Sequence, residues 1–274
     1  MDQRSKAELL RQLHQGPRIL VLANVADAIT ARIVESEGFP AVASSSAGVA
    51  AVLGYADGER IPRSEMLFMV SKIANAVSIP VTADLEAGYG DPGGTVRALI
   101  AAGAVGLNFE DRVGNIMTPL ATQLDRIKEI RAAADSAGVP IVLNARTDIY
   151  LARDGEESTR FERSVERLNA YWEAGADSLF APGVYDAPTI GRLVKAVKGP
   201  LNILAMPGTP AVPELENMGV RRVSVGSGTS RVALGAFRRF VRQLGEDGAF
   251  SALASEALSS TEVQRLLSRA DAAF

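Results

Sequence analysis

The chain has 274 residues, 47% of them apolar and 22% charged, with a formal net charge of −3. This is a soluble globular composition, long enough for one large α/β domain or two small ones. The slight negative charge excludes a basic field for nucleic acid or anionic membrane, and the lack of any cysteine excludes disulfides, thiolate metal sites and a cysteine nucleophile.

From the amino end, residues 5–15 read as a short amphipathic helix carrying the one histidine, His14, expected on the exposed surface of a polar segment. The opening Met1-Asp2-Gln3-Arg4-Ser5-Lys6 lacks a signal-peptide core and no run of about 18 apolar residues follows, so a cytoplasmic location is expected. Arg18–Ala23 is a first buried strand, followed by Asn24, Asp27 and a helix over 28–37. Pro40–Ser44 is a second strand and leads into a serine-glycine loop, Ser44-Ser45-Ser46-Ala47-Gly48. A helix over 63–77 starts after Pro62. The third strand begins at Ile79 and ends in Asp84, Glu86 and a Gly88-Tyr89-Gly90 turn. A helix from about Pro92 to Ala102 precedes the fourth strand, Ala104–Phe109, with Glu110 and Asp111 after it. A helix over 120–137 leads to the fifth, Pro140–Ala145, with Arg146, Thr147 and Asp148 beyond. A helix over 159–174 precedes the sixth, Asp177–Ala181, and one over 187–198 the seventh, Pro200–Met206. A short helix over 211–218 precedes the eighth, Arg221–Val225. Helices over 229–243 and 251–273 close the chain.

Four times a helix runs out in glycine and a buried strand starts at once: AAGAVGLNF, SAGVPIVLN, EAGADSLF and NMGVRRVSV. Repeated C-cap glycines feeding apolar runs mark βα units. Eight units predict a (β/α)8 TIM-type barrel, with an open doubly wound sheet as the runner-up. No linker or composition break divides the chain, so residues 1–274 read as one domain, with the barrel over about 18–240 and a helical extension over about 241–274.

A barrel's catalytic groups occupy the carboxyl ends of its strands, and here these ends are unusually polar. Asp84 and Glu86, two residues apart on a strand, can converge on one point. Together with Glu110 and Asp57 they make an acidic cluster that repels itself without a cation, and hard oxygen donors suit Mg²⁺ or Mn²⁺. A strand-end ion pair with a neighbouring Arg or Lys is the competing reading. Arg146 suits the bidentate grip of a substrate carboxylate or phosphonate, or pairs with Glu110 or Glu86. Ser45, Ser46, Ala47 and Gly48 offer hydroxyls and backbone N–H groups to a second carboxylate, and Asn202 ends the seventh strand. Gly226-Ser227-Gly228-Thr229 suits an anionic tail or a helix cap.

These residues resemble the isocitrate lyase/phosphoenolpyruvate mutase superfamily. SSSAGVAAVLGYAD is similar to its serine-glycine loop, which leads to Asp57, and PVTADLEAGYGD to its D-x-D-x-G-[YF]-G metal motif, with Glu86 where aspartate is usual. GAVGLNFEDRVG resembles the segment carrying the third acid, Glu110, and NARTDIYL its A-R-T-D motif with Arg146 on the substrate. The resemblance spans about 18–240. It implies a Mg²⁺-dependent barrel, with the last helix exchanged between subunits of a homodimer or homotetramer. It also implies cleavage of a C–C or P–C bond beside an α-oxo acid through a metal-stabilised enolate. The K-[KR]-C-G-H gating motif is absent: Arg112–Leu120 stands there with neither Cys nor His. Isocitrate or methylisocitrate cleavage by the usual proton shuttle is therefore not expected. Tyr55, Tyr89, Thr118 or a metal-bound water remain for proton transfer. The leading expectation is a lyase or decarboxylase of a small α-oxo or 2-hydroxy (di)carboxylic acid. The alternatives are a phosphonate mutase or hydrolase and an oxo-acid-binding barrel without turnover.

Overall fold

The computed structural model describes residues 1–255 and 257–268. In chain order the elements are α1 (Gln3–Gln15), β1 (Leu20–Leu22), β2 (Asn24–Val25), α2 (Ala28–Ser36), β3 (Val42–Ser44), α3 (Ser46–Val52), α4 (Arg63–Ala76), β4 (Val81–Asp84), α5 (Pro92–Ala101), β5 (Gly106–Glu110), β6 (Arg112–Val113), β7 (Ile116–Met117), α6 (Leu120–Ser136), β8 (Val142–Arg146), α7 (Arg160–Glu173), β9 (Ser178–Phe180), α8 (Ala187–Ala196), β10 (Leu201–Leu204), α9 (Val212–Met218), β11 (Arg222–Ser224), α10 (Gly228–Asp247), α11 (Ser251–Ser255) and α12 (Ser260–Ser268). None of the described helices is long and apolar enough to cross a membrane.

The main sheet runs β1-β11-β10-β9-β8-β5-β4-β3-β2, all parallel. β1 and β2 are two pieces of one strand broken at Ala23; the first pairs with β11 and the second with β3. Counting them as one closes the nine segments into a ring of eight, a TIM-type barrel. The four glycines of the repeated phrase, Gly103, Gly138, Gly175 and Gly219, all have φ between 70° and 112°. Only a residue without a Cβ takes that conformation freely, so each ends its helix and turns the chain into the next strand.

Strand alternation sorts the side chains. Val81, Ala83, Leu107, Phe109, Leu143, Ala145, Ile203 and Val223 pack in the large cluster with helix residues such as Val96, Ile127, Leu168 and Ile190. The opposite face points into the barrel. At its amino end it is apolar, with Leu20, Leu22, Ala41, Ala43 and Val142 packed on Ala7 and Leu10 of α1. Two residues further along each strand it turns polar, at Asn24, Asp84, Asn108, Asn144 and Ser224.

Five expectations are corrected. The first strand is broken rather than continuous. The stretch after the second strand is not a loop throughout, because Ser45 caps a helix at once by accepting from the Gly48 N–H. His14 is buried rather than exposed: Ala7, Leu10 and His14 form one stripe of α1 that lies against the barrel floor. The helix expected over 229–243 is longer: α10 continues to Asp247 before Gly248, at φ 62°, ends it. The helix expected over 251–273 is two pieces, α11 and α12; residues 256 and 269–274 of it lie outside the described residues.

Candidate active site

At the carboxyl end of the strands lies a cavity of about 210 Å³ lined by Asn24, Ser45, Ser46, Ala47, Asp57, Asp84, Asn108 and Arg146, with Leu151, Phe180, Pro182, Leu204, Ser224, Gly226 and Ser227. It is smaller than the pockets that hold drug-sized ligands. Larger hollows occur elsewhere, one beside Tyr150, Arg160 and Tyr185, but none of the strand-end acids lines that one.

Asp84 ends β4, level with Asn108 of β5. Its Oδ2 accepts from the Ser46 hydroxyl at 3.0 Å, while its Oδ1 is buried without a partner. Burial pushes its carboxyl up, with Asp57 acting the same way against Arg146 and Ser46. Glu86 Oε2 accepts from the Glu59 backbone N–H at 2.6 Å; its Oε1 is likewise buried and alone. Burial, then the charges of Asp57 and Asp84, push Glu86 up to about 8. Glu86 does not line the cavity, but the Asp84 charge acts on it; two orphaned, mutually repelling carboxylates are costly unless something pairs with them, and that need fits a divalent cation. Asp57 is exposed and reaches the cavity from its loop. Among the described residues no three His, Cys, Asp or Glu side chains stand together as a ready ligand cage. The site therefore offers few direct carboxylates, which is the habit of Mg²⁺, an ion that keeps several waters.

The backbone here is strained. Glu59, Glu86 and Tyr89 take positive φ, at 56°, 51° and 55°, a conformation that costs non-glycine residues energy and collects at functional sites. At Gly88, φ 85°, a Cβ would be strained and crowded, standing 3.0 Å from Phe109 and 3.3 Å from the Pro92 backbone. Glu59 was not singled out from the sequence. It fastens the 57–60 loop to the turn, its side chain accepting from the Tyr89 N–H at 2.7 Å.

Glu110 faces Arg146 across the β5–β8 register. Its Oε2 lies 2.8 Å from Arg146 Nη1, so this acid is committed to the guanidinium. Arg146 also donates to Asp148 through Nε at 2.5 Å and Nη2 at 2.9 Å. Burial alone would lower the Arg146 pKa, but Glu110, Asp148 and Asp84 outweigh it and hold the charge above its ordinary range. Three of five guanidinium N–H groups are taken, leaving two for a ligand. Asp148 is anchored in turn: its backbone N–H donates to Asp111 at 2.9 Å, and Asp111 accepts from Tyr171 and Arg167. The sequence marked Asp111 and Asp148 as strand-end residues without showing that they form the scaffold behind Arg146.

The remaining candidates separate. Ser45, Ser46 and Ala47 line the cavity. Gly48 lies behind them, where a Cβ would meet Ser230 Oγ at 2.9 Å and Ala26 Cβ at 3.3 Å; it is a close-packing position and its N–H caps α3. Asn202 is buried within the barrel, paired with Ser224 at 3.3 Å, and does not line the cavity. Tyr55 is turned to Glu65, donating at 3.1 Å. Thr118 is buried at the root of the β6–β7 hairpin, where its hydroxyl accepts from Arg126 at 3.3 Å. Both are thus drawn away by other partners. Tyr89 lies among the acids with its hydroxyl buried and unpartnered; burial first, then Glu86 and Glu59, push its pKa above the ordinary phenol range. Gly226 and Ser227 line the cavity, but the Val225 and Gly226 N–H groups are occupied by Asn24 Oδ1, at 2.9 and 3.0 Å.

A closed parallel barrel with buried carboxylates and a braced arginine at the carboxyl end of its strands has the layout of a barrel enzyme. A family model described as phosphoenolpyruvate phosphomutase matches residues 10–245. The 2-methylisocitrate lyase of Aeropyrum pernix is 30% identical over 272 residues, covering 94% of this chain and 86% of that one. An oxaloacetate decarboxylase of Bradyrhizobium sp. is 30% identical over 236 residues, covering 82% and 79%. A solved structure from Burkholderia cenocepacia J2315, described as a lyase/mutase, superposes with a TM-score of 0.90 at 36% identity, covering 97% of both chains. The chain belongs to the phosphoenolpyruvate mutase/isocitrate lyase superfamily and is an enzyme of its carbon–carbon lyase and mutase type.

Proposed function

We propose that this protein is a Mg²⁺-dependent lyase, with Mn²⁺ as a substitute, that releases CO₂ from a small 2-oxo dicarboxylic acid of the oxaloacetate kind. The observation that carries the reading is the cavity lining. Among the described residues it holds no His, Cys, Lys or Tyr, and its two carboxylates, Asp57 and Asp84, are assigned to the cation, which leaves no further side chain suited to removing a hydroxyl proton. Loss of CO₂ needs no such base: the electrons of the breaking C–C bond flow to the 2-oxo oxygen, and solvent later supplies a proton to carbon. Retro-aldol cleavage of a 2-hydroxy acid does need one. The oxaloacetate decarboxylase relative supports the same choice.

Asp84 and Glu86 are the residues that would hold the cation, with Asp57 from the loop contributing through water; when bound, the cation supplies the Lewis acidity for charge developing on the oxo acid. Glu110 is assigned to bracing Arg146. The two spare N–H groups of Arg146 take the substrate carboxylate, and Glu110 and Asp148 fix the plane of the fork. Ser46 holds Asp84 in place, and Ser45 and Ala47 wall the opposite side. Phe180, Leu204 and Leu151 contribute apolar surface that limits water at the reacting carbon.

A screen with Mg²⁺ against oxaloacetate, its alkyl-substituted forms, malates and phosphonopyruvate tests this. Pyruvate and CO₂ from oxaloacetate are expected. Turnover of phosphonopyruvate alone would place the enzyme with the mutases, which the family model favours, although Thr118, a candidate for that chemistry, faces Arg126 outside the cavity. Assembly belongs to the same proposal. α10 has no buried residue, and Leu234, Phe237 and Val241, which share one side of it, are 47–64% exposed. An apolar face of this size supports a homodimer or homotetramer built on α10.

A further inference from the structure

Among the described residues Arg222 is the largest fully buried side chain, and it lies outside the catalytic constellation described above. It points into the barrel from β11, between the apolar floor and the cavity. Among the described residues it has no ion-pair partner. Its contacts are neutral: Nη1 lies 3.3 Å from His14 Nε2 and Nη2 donates to Asn108 Oδ1 at 3.0 Å. His14 Nδ1 lies 2.7 Å from the Leu10 carbonyl and must be the protonated nitrogen, which leaves Nε2 free to accept. A buried, unpaired guanidinium is expensive, and the apolar floor alone would be better served by leucine.

What Arg222 fixes is Asn108. Asn144 Nδ2 donates to the same Asn108 Oδ1 at 2.9 Å. An arginine only donates, so the atom facing it has to be the amide oxygen, and two donors hold it there. The Asn108 Nδ2 group is then forced to the other side of the amide, toward the cavity that Asn108 lines beside Asp84 and Arg146. It is not spent on its neighbour Asp84, whose Oδ1 has no partner. The cavity therefore presents a fixed neutral donor next to the charged fork of Arg146.

We propose that Arg222 is a positioning residue that locks the Asn108 amide with its N–H groups toward the substrate, so that a carboxylate or oxo oxygen of the bound acid accepts from Nδ2. The line His14–Arg222–Asn108 thereby runs from the N-terminal helix to the substrate. The inference rests on the small-oxo-acid reading above.

Binding of oxalate, an unreactive dicarboxylate, measured by calorimetry with MgCl₂ present, tests it beside thermal melting. Asn108→Leu and Arg222→Met are each expected to weaken oxalate about tenfold, the scale of one lost hydrogen bond to a charged group. The double variant is expected to be no weaker than the poorer single one, because both remove the same donor. Arg222→Lys, which keeps a donor toward Oδ1, is expected to recover most of the affinity. Should Arg222→Met not fold, Asn144→Leu removes the other donor to Oδ1, and a several-fold loss is expected there. Wild-type affinity in Arg222→Met (or in Asn144→Leu where that variant stands in), or losses that multiply in the double variant, would overturn the inference alone. Failure of the wild-type protein to bind oxalate at all would overturn the substrate reading and the inference with it.

Discussion

The two ends of the barrel follow opposite plans. At the amino end, Ala7 and Leu10 of α1 are fully buried against Leu20, Leu22, Ala41, Ala43 and Val142. The fit is close: a Cβ on Gly106 would stand 2.8 Å from Leu10 Cδ2. At the carboxyl end, buried carboxylate oxygens lack partners and four non-glycine residues, Glu59, Glu86, Tyr89 and Arg153, take positive φ. One end gathers contact energy and the other stores strain and unbalanced charge. That division lets a barrel carry a costly site, since stability and chemistry are supplied by different ends of the same strands.

The comparison can be broken first at Arg146. Arg146→Lys is expected to cost about 2–5 kcal/mol in substrate binding, because an ammonium cannot hold Glu110, Asp148 and a carboxylate in one plane. Oxalate titration reads this directly, and an unchanged affinity would remove Arg146 from the binding site. At the other end, Leu10→Ala is expected to lower unfolding free energy by about 3 kcal/mol in urea, through the cavity left on the floor. Oxalate affinity should hold within a few-fold, and a parallel collapse of binding would mean the ends are not separable.

Acid is a gentler probe. Burial, then the Arg222 charge, pushes His14 from its ordinary 6.5 down to about 3. The unfolded chain binds that proton more readily, so the stability tied to neutral His14 is complete above pH 6.5 and lost as pH falls towards 3. The buried carboxyls with raised pKa slope the other way, so the informative quantity is wild type minus His14→Gln. That difference is expected to change by a few kcal/mol between pH 7 and 4; a flat difference would contradict the neutral, buried histidine. The smallest effect on the protomer is expected from Phe237→Asp, within about 0.5 kcal/mol in folding, since the side chain is 64% exposed. Sedimentation should show the same variant losing its assembly, whereas an unchanged oligomer would place the interface elsewhere.

The carboxyl end was far more legible in sequence than the amino end. Acids and arginine at the ends of apolar strands have no use in a core, so Asp84, Glu86, Glu110 and Arg146 stood out as candidates. Helix-ending glycines did the same for the barrel. His14 gave no such sign, because a polar N-terminal helix looks alike whether it floats or plugs a barrel. Arg222 sat in the strand Arg221-Arg222-Val223-Ser224-Val225, where alternation says that one arginine points inward without saying what receives it. Tyr55 and Thr118 were nominated by their place along the chain, which does not fix direction; Glu65 and Arg126 captured them. Glu59 lies in a loop far in sequence from the turn it fastens, so no local pattern connected them.

The central claim is that Asp84 and Glu86 are kept unpaired for a divalent cation. Thermal melting of wild type and Asp84→Asn across a Mg²⁺ titration tests it most directly. Without metal, Asp84→Asn should melt at or above wild type, because one of the mutually repelling acids is gone. With Mg²⁺ at about 100 times its dissociation constant, wild type should gain about 2.7 kcal/mol and the variant little or nothing. A variant that melts well below wild type in chelator, or that keeps the full Mg²⁺-dependent gain, would contradict the account.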